Sequence, residues 1–95
     1  MDIKRVRQEL DNLLETLASV EHERWSHWQR YLHSKCVSVG SDGALLIPGH
    51  LVKRWEEQIG TPYANLPEEE KESDREQVRK YLPLIVRALN DSTGH

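Results

Sequence analysis

The sequence predicts a mainly α-helical domain, interrupted once by a short β-hairpin or extended loop. Three observations carry that expectation. Apolar residues from Ile3 to Leu32 recur at spacings of three and four, the pattern of one helical face. A second series of the same period runs Val78, Leu82, Ile85, Leu89. Between the two lies Gly40-Ser41-Asp42-Gly43, flanked on both sides by short apolar runs, which suits a tight turn with positive φ. Ninety-five residues hold one modest core and no second one.

Taken in order, residues 2–33 carry the first helical signal, with Asp2 placed as N-cap. Ile3, Val6, Leu10, Leu13, Leu14, Leu17, Val20, Trp28, Tyr31 and Leu32 share one arc, and Trp25 lies at its edge. The spacing fits either one long N-terminal helix or two helices broken near Ser19. An unbroken helix would reach about 48 Å at about 1.5 Å per residue. That exceeds a compact domain of this size, so residues 1–16 read as an extension able to pair with another copy. Cys36, Val37 and Val39 before the Gly-Ser-Asp-Gly turn, and Ala44 to Ile47 after it, form the predicted hairpin or loop. A short helix follows from His50 to Ile59, with Leu51, Val52, Trp55 and Ile59 on its apolar face and Gly60 as its C-cap. Pro67 suits the first position of the last helix, and Glu68, Glu69 and Glu70 complement its N-terminal dipole. Pro83 removes an interior donor and predicts a kink or break near Tyr81. Residues 91–95 read as a frayed, disordered tail.

Composition narrows the function classes. A net charge of -3 argues against a general nucleic-acid binder, which carries a basic face. One cysteine, Cys36, excludes an internal disulfide and a Cys-based zinc site. The N-terminus lacks the pattern of a secretory signal, and no apolar run approaches the length of a membrane span. A cytoplasmic location, without membrane association, is the expectation.

The densest chemistry lies in EHERWSHWQRY, Glu21 to Tyr31. His22 and His27 are five residues apart, not the four that place two zinc ligands on one helical face, and no third ligand is evident. No nucleophile motif, P-loop or dinucleotide fingerprint occurs, so no enzymatic activity, metal or cofactor is expected. Trp28 and Trp55 are expected as core anchors, whereas Trp25 at the rim of the arc is the candidate stacking platform. Both long helices also place ionisable groups where apolar stripes would continue: Glu21 and Arg24 on the first, Lys71, Asp74 and Arg75 on the last. One reading is a solvated helix face with pairs such as Lys71 with Asp74. The other is a polar pocket wall, aromatic and charged as ligand sites are.

Two segments together resemble the RyR domain, the repeat named for ryanodine receptors and also found in bacterial and phage proteins. LASVEHERW, Leu17 to Trp25, is similar to the family's helix containing H-E-x-W, and PYANLPEEEKESDR, Pro62 to Arg75, resembles P-Y-x-x-L-P-E-x-E-K-x-x-D-R. The likeness covers about residues 17–84 within a domain expected over 17–90. It departs from the receptor repeats in the middle, where YLHSKCVSVGSDG stands in place of G-W-x-Y-G.

The resemblance implies a small, non-catalytic, α-rich module that binds an adenine-type nucleotide or a nucleotide-derived second messenger. On the matched motif Trp25 would stack on the base, Arg24 or Arg75 would meet phosphate, and His22 and Tyr63 would supply hydrogen bonds. Glu23, Lys71 and Asp74 complete the expected ligand-binding set, with fold-keeping pairs to arginine as the other role open to Asp74 and Glu23. A stand-alone chain of this kind is similar to phage or prophage versions that would sense or sequester such a signal in anti-defence. The alternative is a structural module that forms homo-oligomers through its N-terminal amphipathic helix, supported by Ile3, Val6, Leu10, Leu13 and Leu17.

Overall fold

The computed structural model describes residues 2–94, so Met1 of the predicted extension and His95 of the predicted tail lie outside the described residues. The chain is mainly helical, as expected. Its elements are α1 (Ile3–Asp11), α2 (Leu14–Lys35), β1 (Val37–Val39), β2 (Ala44–Leu46), α3 (Gly49–Ile59), a 3-10 turn at Tyr63–Asn65, and α4 (Glu68–Gly94).

Asp2 caps α1, its carboxylate accepting the Lys4 N–H at 3.0 Å. The N-terminal helical run is divided at residues 12–13, well before Ser19. There the Leu13 N–H turns back to the Leu10 carbonyl, a three-residue closure that tightens the last turn of α1. Asp11 and Asn12 favour such an interruption because their short polar side chains compete for local backbone groups. The remaining 22 residues make α2 the long N-terminal helix.

β1 and β2 pair antiparallel in the register Val37 with Leu46, Ser38 with Leu45, and Val39 with Ala44. Gly40 and Gly43 both take positive φ, at 69° and 85°, which any Cβ-bearing residue would resist. Asp42 accepts the Ala44 N–H at 3.0 Å and closes the turn. The extended-loop alternative is thereby set aside. Gly60 ends α3, its N–H bonded to the Glu56 carbonyl at 3.0 Å. The Pro67 carbonyl accepts the Glu70 and Lys71 N–H groups and so opens α4.

α4 continues through Pro83 without a break. The missing N–H deprives the Arg79 carbonyl of its helical donor, but Pro83 is exposed and water reaches that turn. The helix also extends to Gly94, where the sequence reads as a frayed tail. Arg5 of α1 donates to the Asp91 carbonyl at 3.5 Å and ties this last stretch to the N-terminus.

The chain divides into two compact units, residues 1–24 with 72–95, and residues 25–71. In the first unit Val6 and Ala88 are buried, and the Tyr81 hydroxyl donates to Glu21 across 60 residues of sequence. In the second, Leu51 anchors α3. The expected core is otherwise thinner than the periodicity suggests. Ile3, Leu10, Leu14, Val78 and Leu82 are exposed, and Trp28, expected as a core anchor, retains 43% exposure. The apolar arcs are wider than the elements that cover them within each unit.

Candidate functional site

In the second unit, α3 turns one face toward the C-terminal half of α2. Val52, Trp55, Glu56 and Ile59 recur at helical spacing along that face, and Trp28 and Leu32 are one turn apart on α2. With Ile47 and Gln58 these side chains line a cavity of about 430 Å3. The Trp28 and Trp55 rings meet edge to face, centroids 5.5 Å apart and planes at 69°. Tyr31 stacks on Trp28, ring centroids 5.5 Å apart and planes at 29°. Lys35 lies 5.5 Å from the Tyr31 centroid, in cation–π range. Lys35, Tyr31, Trp28 and Trp55 therefore form a chain of contacts, of which the two tryptophans line the cavity.

The cavity's size falls within the range of small-molecule sites, and its lining is mostly apolar. Glu56 is its one carboxylate and Gln58 its one amide. Such a lining suits a flat ring: apolar edges grip its faces, and a carboxylate accepts an N–H from its rim.

The eight residues singled out by sequence divide between the units. Trp25, Tyr63 and Lys71 belong to the second. Trp25 is 58% exposed, consistent with its rim position. Lys71 sits over the Tyr63 ring, Nζ 5.8 Å from its centroid, so these two predicted residues are brought together.

His22, Glu23, Arg24, Asp74 and Arg75 belong to the first unit. Arg24 donates to Glu21 from both Nε and Nη2, at 3.2 and 2.6 Å. Arg75 donates to Glu72 at 3.2 Å, and Arg79 reaches the other oxygen of the same carboxylate at 2.5 Å. Both arginines assigned to phosphate thus carry a carboxylate partner three residues away on their own helix, as solvated helix pairs do. The carboxylates bonded to them here are Glu21 and Glu72. Hydrogen bonds from Arg79 and then Arg75 hold the Glu72 carboxyl below its ordinary value of 4.5. The Glu72 bond raises Arg79 above its own usual value.

Sequence reasoning assigned Trp28 and Trp55 to the core and so passed over the cavity they wall. A signal existed: the α3 face carries Val52, Trp55 and Ile59, more apolar surface than a short helix can cover against one neighbour. Among the described residues no group of three or more His, Cys, Asp or Glu is placed to hold a metal, and no helix is long and apolar enough to cross a membrane. No family model matches the chain, and no curated protein or solved structure matches it either.

Proposed function

We propose that the chain is a non-enzymatic binding module for a small molecule built on a flat ring, of the adenine-nucleotide or nucleotide-derived second-messenger type. The observation that carries this reading is the cavity walled by the edge-to-face Trp28 and Trp55 pair. It moves the ring site from Trp25, which the RyR-like motif favours, to the neighbouring aromatic pair. Glu56, in the lining, would accept an N–H from the ring's rim, as an exocyclic amine provides. Phosphates would stay outside this lining, which holds a carboxylate and no cation. The two RyR-like motifs support the ligand class, and the likeness to stand-alone phage versions extends the proposal to sequestering a host signal.

Titration calorimetry and tryptophan emission against adenosine, adenine nucleotides and cyclic messengers test the reading. At least one compound is expected to bind and to change tryptophan emission. Ile59→Glu, which puts a charge at the mouth of the cavity, is expected to weaken it at least tenfold. Trp25→Ala is expected to leave the affinity within a few-fold. A reversed order of the two variants would return the ring to Trp25, and silence across the whole panel would end the ligand proposal.

A second reading, homo-oligomerisation through the N-terminal helix, is favoured by the exposure of Ile3, Leu10 and Leu14. Ile3→Glu with Leu10→Glu is expected to lower the particle mass in light scattering if this face carries the contact. An unchanged mass would remove it.

A further inference from the structure

The cavity of the second unit has a charge balance that narrows its ligand. Its lining is apolar but for Glu56 and Gln58, and holds no lysine, arginine or histidine. Among the described residues Glu56 has no ion-pair partner, although Lys53 lies about one turn away on α3. Glu21 and Glu72, by contrast, are both held by arginine.

A ligand that fills this cavity takes water away from the Glu56 carboxylate, which costs free energy. A neutral ring returns one hydrogen bond for that loss, from an N–H on its rim. A positively charged ring returns a charge-assisted bond and the attraction of opposite charges, which grows as water leaves.

The indoles favour the same charge. Their faces are electron-rich, and tryptophan holds a cation better than tyrosine or phenylalanine does. Trp28 and Trp55 contact each other at 69°, so they cannot close over opposite faces of one ring. They leave a corner instead, in which a ring stacked on one indole turns its rim toward the other. The rim of an aromatic ring is its positive part, and a net positive charge on the ring improves both contacts. Lys35, the cation of this aromatic chain, lies over Tyr31 and outside the lining.

Size separates a ring from a smaller cation. A cavity of about 430 Å3, with Leu32, Ile47, Val52 and Ile59 among its walls, covers far more surface than a lone methylated ammonium presents. A delocalised cation is also weakly hydrated, as guanidinium is, so moving it out of water costs less than moving an ammonium.

We propose that the ligand of this cavity is a ring with a fixed positive charge, of the N-alkylated purine class, and that Glu56 selects the charge. The proposal rests on the ring-binding reading above and adds the charge to it.

Calorimetry at neutral pH compares 1-methyladenosine, whose ring is then a cation, with its neutral isomer methylated on the exocyclic amine. The two share all atoms but one proton, so size and apolar area are matched. The wild type is expected to bind the cation about tenfold more tightly. Glu56→Gln, which keeps the shape of the side chain, is expected to narrow that ratio severalfold. A general loss of binding would leave the ratio where it was. Equal affinity for the two isomers in the wild type overturns the charge and leaves the flat-ring reading standing. A preference that survives Glu56→Gln in full also overturns the proposal, as does tetramethylammonium bound as tightly as 1-methyladenosine. Silence toward both isomers while adenosine or a nucleotide binds overturns it too. Silence toward all of them ends the ring-binding reading along with it.

Discussion

Both carboxylate oxygens of Glu72 accept from arginine, one from Arg75 and the other from Arg79. The lowered folded-state pKa of Glu72 means that its contribution to stability is complete above the ordinary value of 4.5 and is lost as pH falls through the lower folded value. The group is exposed, so the contribution is small. Glu72→Gln is expected to flatten the acid limb of a melting profile: between about pH 5 and pH 2 the wild type should lose more thermal stability than the variant. Parallel profiles over that window would show that the two arginines do nothing for folding. At the same scale, the sequence offers each charge of the last helix several partners without choosing among them. Lys71 was open to Asp74 on spacing alone, yet it lies over Tyr63. Local spacing lists the possible partners, and side-chain reach chooses among them.

At the scale of elements, Pro83 is the clearest cost. A proline in a helix interior costs about 3 kcal/mol relative to alanine, through the missing N–H and the clash of its ring with the preceding turn. α4 nevertheless runs unbroken through it. Pro83→Ala is expected to raise the urea midpoint, by up to about 3 kcal/mol in stability and without change in slope. No gain would mean that the turn before Pro83 is already adapted to it. The hairpin shows the opposite balance: Gly40 and Gly43 are where the turn needs them, and the pairing of β1 with β2 follows from that turn. Element identities were legible because caps, glycines and periodicity act over a few residues. The interruption at residues 12–13 was less so, since the apolar arc passes through it with the helical period unchanged.

For the whole molecule, the notable quantity is how little is deeply buried. Val6, Leu51 and Ala88 are the buried apolar residues among those described, while Trp28 and, on α4, Val78, Leu82 and Val86 keep much of their surface in water. If a second copy covers the Ile3, Leu10 and Leu14 face, folding and association are linked, and the stability of the chain depends on its concentration. The melting temperature is expected to rise steadily as protein concentration is increased across the micromolar range, and to become independent of concentration in Ile3→Glu with Leu10→Glu. A wild-type melting temperature that does not move with concentration would mean that the thin core suffices alone.

The sequence by itself determined the helical class, the place and type of each main element, and the side chains able to do chemistry. These depend on backbone propensity, glycine conformation and periodicity, all of which act locally. Tertiary structure alone decided which apolar residues are covered and which are left open. It set Trp28 and Trp55 at the wall of a cavity, left Val78, Leu82 and Val86 facing solvent, and gave Arg24 and Arg75 to neighbouring carboxylates. The reason is geometric. Periodicity shows that a face is apolar, but burial depends on whether another element reaches it, and that is a property of chain segments far apart in sequence.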